Sequence, residues 1–226
     1  KMESLLDFTG VTQQMYTKHK RKSADTELVI KEDFEYDSQN RLLKHYHEVI
    51  GKSPKELLTQ NHYNEIGQLD WKKVGATTVS GGISPPLQTI DYQYNIRGWL
   101  TKINDISNIG TDIFAYTINY NTLDITTTKP YVADQSFEIK KRFNGTISQV
   151  DWLHANPDPN NRIKSYGYSY DGLDRLKAGF YFIKFGGQYL FTEEHNELVK
   201  YDVNGNIDKL KRFSYYVSTA PNKIDD

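Results

Sequence analysis

From Tyr166 to Lys177 the chain reads Y-G-Y-S-Y-D-G-L-D-R-L-K, a strand, a turn and the start of a returning strand. Tyr166, Tyr168 and Tyr170 alternate with Gly167 and Ser169, so in an extended backbone the three rings share one face and the other face carries almost nothing. Asp171-Gly172 is a pair that tolerates the positive φ angles of a tight hairpin turn, and Leu173 and Leu176 open the return.

That unit recurs: an aromatic, then Asp or Asn, then a turn with Gly or Asn, then an aliphatic residue, often with a basic residue close behind. The copies are Tyr36-Asp37 with Asn40-Arg41-Leu42, Tyr63-Asn64 through Leu69, Tyr94-Asn95 through Leu100, Phe143-Asn144-Gly145-Thr146-Ile147, Tyr170-Asp171 through Lys177, and Tyr201-Asp202 through Ile207. Successive aromatics stand 27, 31, 49, 27 and 31 residues apart, and the long step is expected to hold an extra hairpin. Phe8-Thr9-Gly10-Val11 reads as a degenerate earlier copy. Self-similarity at such a period is the signature of a serial architecture. A 13% aromatic content, with 17 Tyr, leans the same way, since aromatic side chains favour pleated, half-buried surfaces.

Between the turns the period is two. Leu28, Ile30, Phe34 and Tyr36 fall on one parity, Glu27, Lys31, Asp33 and Glu35 on the other, which predicts a strand with one wetter face. Tyr92 and Tyr94, and then Tyr116, Ile118 and Tyr120, alternate in the same way. Leu123, Ile125 and Thr127 continue as an expected partner strand, and Phe180 to Phe185 reads as an apolar run suited to burial on both sides. Ser53-Pro54-Lys55-Glu56 carries helix-start signals sufficient for a turn or two. Breakers at Gly81 to Pro86 and Asn156 to Asn161 read as loops, since the repeat resumes on each side. The expectation is one repeat segment over 1–226, with no domain boundary.

The repeats resemble the Rhs or YD-repeat family, in which a Tyr-Asp pair is followed by a Gly-Arg-Leu-like turn. Tyr170 to Leu176, Tyr201 to Ile207 and Tyr94 to Leu100 are closest to that pattern, and the resemblance covers nearly all residues. It implies an all-β fold, a curved antiparallel β-sheet ribbon of repeated hairpins that forms part of a hollow YD-repeat shell around the protein's own C-terminal segment, typically a toxin. Teneurin ectodomains and the C components of Tc toxin complexes carry related shells. A ribbon of hairpins in series buries each unit's edge against the next, and curling leaves few open edges. At about 3.3 Å per residue and about 4.8 Å between strands, the chain tiles on the order of 3,600 Å². A wall around a cargo of about 130 residues needs on the order of 6,600 Å². The segment is therefore expected to belong to a much larger protein. Family shells also cleave themselves at an aspartate in a distinctive context, and Asp158-Pro159 lacks that context and reads as an Asx-Pro turn.

A formal charge of −1 gives no general attraction for nucleic acid or anionic membrane. The basic run Lys18-His19-Lys20-Arg21-Lys22 reads as a solvated hairpin end. Without cysteine there is no disulfide, thiolate-zinc site or thiol catalysis. No apolar run approaches the length of a membrane span. His45, His47 and His62 are the one set with a geometry suited to zinc, but no third ligand is fixed by spacing and alternation on a wet face explains them. Glu193-Glu194 and Asp225-Asp226 would point apart on a strand, which suits solvation better than acid-base work. Trp71, Trp99 and Trp152 can stack on sugars or pack a sheet, and packing is the simpler use. Asn144-Gly145-Thr146 matches a glycosylation sequon but overlaps a repeat turn. No catalytic, cofactor or metal residues are assigned, and no enzyme is expected.

By resemblance, the expected role is a non-enzymatic shell segment that encapsulates a C-terminal effector for secretion and delivery. The expected partners are the remaining repeats, that effector and a bacterial secretion machinery, and the expected location is outside the cell or at its surface. The alternative is a surface adhesin or carbohydrate-binding module that contacts glycans through outer aromatics.

Overall fold

The computed structural model describes residues 1–226 apart from 80–81, 127–128, 134, 156–161, 193, 215–223 and 226. Asp158-Pro159, Thr127, Glu193, Gly81 and the residues beyond Ser214, apart from a last short strand, therefore lie outside the described residues. The described chain is all-β and antiparallel, with no helix. It divides into two units, Lys1–Tyr92 and Gln93–Asp226.

The first unit is a meander of β1 (Met2–Leu6), β2 (Thr12–His19), β3 (Leu28–Tyr36), β4 (Leu42–Val49), β5 (Glu56–Tyr63) and β6 (Leu69–Val79), each strand pairing with the next. β6 also pairs with the short β7 (Gly82–Ile83) and with β8 (Gln88–Tyr94). Ser53 and Pro54 lead into β5 as loop, so the helix-start signal there is overridden by strand pairing. The basic run ends β2 and continues into an exposed turn, as expected, with the Lys22 N–H donating to Asp25.

The alternation in β3 does not separate a dry face from a wet one, because nearly every residue of that strand is half-buried. Among the described residues, only Tyr46, Leu57 and Ala76 form a buried cluster in this unit. Side-chain pairs carry much of the contact instead: across β3 and β4 Phe34 stacks on His45 at 4.5 Å and His45 faces Glu32 at 3.0 Å, while Asp33 is paired by Lys31 of its own strand and by Lys55 of the loop before β5.

The second unit comprises β9 (Leu100–Ile103), β10 (Phe114–Asn119), β11 (Tyr131–Val132), β12 (Gln135–Ser136), β13 (Gln149–His154), β14 (Ile163–Tyr170), β15 (Leu176–Phe185), β16 (Gln188–Phe191), β17 (Glu197–Tyr201), β18 (Ile207–Phe213) and β19 (Ile224–Asp225). The sheet runs β9-β10-β13-β14-β15, after which the distal half of β15 pairs with β16 and its proximal half with β17. β18 and the short β19 follow.

β10 and β13 are hairpin partners, Phe114 opposite His154 through Asn119 opposite Gln149, so residues 120–148 are one elaborated hairpin connection. It holds the expected extra hairpin, β11 with β12, and it folds back over the sheet. Its Ile125, Val132, Phe137 and Ile139 meet Ala178, Phe180 and Phe182 of β15 and Tyr189 of β16, the largest apolar core in the chain.

This covering layer inverts the reading of β14. Ser165, Gly167 and Ser169 form its buried face, while the three tyrosines lie half-buried on the other. A Cβ at Gly167 would stand 2.7 Å from Ile139 Cδ1 and 2.9 Å from Ile125 Cδ1. The small residues are the seat into which the connection packs. Leu123 and Ile125 form no strand. The N–H groups of Asp124 and Ile125 donate to Gln149 Oε1 at 2.9 and 3.1 Å, so the backbone is satisfied without a strand partner. In β15 the buried run is Ala178 to Phe182, and Phe185 is exposed.

Candidate functional site: the repeated turn and its lock on the next strand

One local geometry recurs at Asp7, Asp37, Asn64, Asn95, Asp171 and Asp202. In each case the side-chain Oδ1 accepts the N–H groups two and four residues on, at 2.8–3.2 Å. The backbone closes the same loop, its N–H donating to the carbonyl four residues on and its carbonyl accepting from the N–H three residues on. That third residue always has positive φ: Gly10, Asn40, Gly67, Gly98, Asp174 and Gly205. This is a three-residue hairpin loop closed by a bulge. At five of these turns the strand register shifts at the residue just before the Asp or Asn.

The positive φ expected within Asp171-Gly172 is thus corrected. The left-handed residue is Asp174, and Gly172 is not in that region. Asp171 makes the longer loop favourable because its carboxylate caps two N–H groups that the loop would otherwise leave open. The early copy is also re-registered. Asp7 does the capping, Leu6 holds the aromatic's position, and Phe8 points out fully exposed.

The aromatic of one turn then locks onto the previous one. Tyr63 donates its hydroxyl to the Leu42 carbonyl at 3.1 Å, Tyr201 to Leu176 at 2.9 Å, Tyr170 to Ile147 at 2.7 Å and Tyr120 to Leu100 at 2.9 Å. The arginine of the motif serves both turns. Arg41 Nε donates to Asp37 Oδ2 at 2.6 Å while its guanidinium lies 4.6 Å above the Tyr63 ring, and Arg175 repeats this with Asp171 at 2.7 Å and Tyr201 at 4.5 Å. Sequence reading missed Tyr120 as a member of this series. The signal was there, since Tyr120-Asn121 follows Tyr94 at repeat distance, but its turn is replaced by the long connection. Trp99 stands where Arg41 and Arg175 do and packs on Tyr120 at 5.1 Å. The Phe143 copy is not preceded by a strand, and Phe143 is exposed; Arg142 nonetheless lies 4.9 Å above Tyr170 and pairs with Asp174.

Removing the hydroxyl of Tyr201 by substitution to Phe is expected to cost about 1 kcal/mol, the net worth of one hydrogen bond, with faster amide exchange centred on β17 and the Asp171 turn. Unchanged stability and exchange would show that the lock carries no energy.

The capping carboxyls are held below their ordinary range. For Asp37 and Asp171 the first cause is the backbone N–H of the arginine four residues on; for Asp202 it is the Asn206 side chain; for Asp7 it is the Thr9 hydroxyl. A folded-state value below the unfolded one gives stability that is present above about pH 4 and is lost as pH falls through the depressed folded values. Asp37→Asn combined with Asp171→Asn keeps the Oδ1 acceptor, as Asn64 and Asn95 show, and removes the charge. The variant is expected to be less stable than wild type at neutral pH, with the difference vanishing below the depressed values in an acid titration followed by circular dichroism. A difference that persists unchanged into acid would contradict the assignment.

The other sequence candidates separate. The β4–β5 register sets His45 opposite Thr59 and His47 opposite Glu56, whereas His62 lies opposite Trp71 and hydrogen-bonds Asp70. No group of three or more metal-capable side chains occurs among the described residues. Each indole has a neighbour on it: Trp71 has His62 at 5.0 Å, Trp99 has Tyr120 and Arg97, and Trp152 has Tyr166 at 5.6 Å. The Asn144 amide nitrogen of the sequon donates to Asp174 at 2.8 Å. Among the described residues of the second unit Asp151 is the buried acid, accepting from Gln149 Nε2 and from the Tyr189 hydroxyl, and burial pushes its carboxyl up.

No family model and no curated protein sequence matches the chain. Among solved structures, a chain of the Photorhabdus luminescens Tc holotoxin pore, determined with a mutated TccC3, is similar with a TM-score of 0.31 and 12% identity over 95% of this chain. This chain spans 12% of that chain's length.

Proposed function

We propose that the chain is a non-enzymatic stretch of YD-repeat wall whose role, in the longer polypeptide it belongs to, is to enclose a C-terminal effector until delivery outside the producing cell. The observation that carries this reading is the interlock itself: the tyrosine of one repeat is hydrogen-bonded to the strand that leaves the preceding turn, and the motif's arginine spans the same step. Such a unit propagates by docking on its neighbour and extends a wall. The mechanism is steric. A wall keeps proteases and targets from what lies behind it and needs no reacting group. The covered tryptophans do not favour sugar stacking.

The test is limited proteolysis of the natural gene product that contains these residues. The expected result is a C-terminal fragment that survives trypsin while the wall is folded and is digested once the wall is loosened with urea. A C-terminal region cleaved at the same rate in both conditions would overturn the proposal.

A further inference from the structure

The face of the second unit that carries the long connection also bears a cationic cleft that the repeat geometry does not use. β17 and β18 set Lys200 directly opposite Lys209, and Leu198 opposite Lys211. Lys200 reaches Asp208 at 3.3 Å, an exposed contact of little energy. Across the cleft, Lys177 meets no carboxylate among the described residues; its ammonium lies 5.0 Å above the Phe137 ring. Phe137, Leu198 and Val199 give this cleft of about 260 Å³ an apolar floor.

A second cleft, of about 480 Å³, shares Phe137 and Lys177 and continues past Lys129 and Arg142. The two carboxylates that line it are engaged, Glu138 with Lys140 at 2.9 Å and Asp171 with Arg175 at 2.7 Å. The joined clefts thus run from a small apolar floor into a mostly polar stretch in which Arg142 is paired with Asp174, with Lys177 shared between them, and both are open at the surface.

We propose that the joined clefts dock an extended acidic polypeptide segment in which carboxylate side chains alternate with apolar ones. In an extended chain that alternation sends apolar groups to the floor formed by Phe137, Leu198 and Val199 and carboxylates to the flanking lysines. Charge complementarity selects the sign of the partner, and the apolar floor suits the apolar side chains of a polypeptide. The inference stands apart from the wall reading, since it needs only the geometry of the second unit.

The test is fluorescence anisotropy of a labelled peptide of alternating Glu and Leu against the full 226-residue chain, with an alternating Lys and Leu peptide and an oligothymidylate of equal charge as comparisons. Saturable binding of the Glu peptide alone is expected, weakening as salt rises from about 50 to about 500 mM. Lys177→Glu with Lys200→Glu is expected to weaken it on the order of tenfold or more. Lys177→Gln with Lys200→Gln is expected to give a smaller loss of the same sign, and it decides the matter if the reversed variant does not fold by circular dichroism. Affinity within about twofold of wild type in the deciding variant overturns the proposal. Equal binding of the Lys peptide or the oligothymidylate also overturns it.

Discussion

Phe180→Ala is expected to destabilise the second unit by about 3–5 kcal/mol, the usual cost of emptying a buried phenylalanine site. Phe180 is 0% exposed and sits centrally in the core, edge-on to Phe137 of the long connection at 5.2 Å and to Phe191 of β16 at 6.1 Å. The void would open between the sheet and its covering layer, so both sides lose contact and neither can close alone. Urea unfolding gives the magnitude and hydrogen exchange gives the place, with protection lost first over residues 123–139 and 176–191. Gly167→Ala tests the same layer from below, since its methyl would displace Ile125 and Ile139. Because those contacts are with side-chain tips that can shift, about 1–3 kcal/mol is expected. A loss below about 1 kcal/mol for Phe180→Ala would mean that the connection does not depend on its seat on β15.

The hairpins and their order were legible from local chemistry alone. A tyrosine followed by Asp or Asn, an αL-tolerant residue three places on and an aliphatic return marks a strand end, a bulged loop and a strand start, and each of those choices is made within seven residues. The register of the turn was less legible, because Asp171-Gly172 and Asp174 both tolerate positive φ and only the hydrogen bonds of Asp171 decide between them. What the pattern could not reveal was the covering layer. In β14 the alternation of Tyr with Gly and Ser is as compatible with an empty face as with a seat, and the difference lies in Ile125 and Ile139, at least 28 positions away in sequence. The tyrosine-to-carbonyl locks lie at similar range, 20 to 25 residues, but they were implicit in the repeat distance itself. Among the candidate residues, His45 and His62 failed to meet for the same reason: parity predicts a face, and only register predicts a neighbour.

Gln149→Leu is expected to be nearly as damaging as the loss of Phe180, about 3–5 kcal/mol at neutral pH, although no apolar contact is removed. Gln149 is fully buried and holds two structures together. Its Oε1 accepts from Asp124 and Ile125 of the connection, and its Nε2 donates to the two oxygens of Asp151 at 2.8 and 3.0 Å. Leucine fills similar space but leaves two backbone N–H groups without their acceptor and a buried carboxylate short of a donor. The second consequence is a pH dependence. Asp151 lies among Ser165, Tyr189 and Lys184, and burial already raises its carboxyl, while the Gln149 donor acts against that rise by favouring the charged form. A raised folded-state value means that this group's contribution to stability is complete below the unfolded carboxylate range and is lost as pH climbs through the folded value. Without Gln149 the folded value climbs further. The variant's deficit is therefore largest at neutral pH and narrows as pH falls toward about 4, where Asp151 becomes protonated with or without Gln149 and only the two orphaned N–H groups still cost. The turn aspartates titrate identically in both proteins and cancel from the difference. Urea titrations of both proteins at several pH values between about 4 and about 7 measure it, and a deficit constant across that range would show that Gln149 does not hold a charged Asp151.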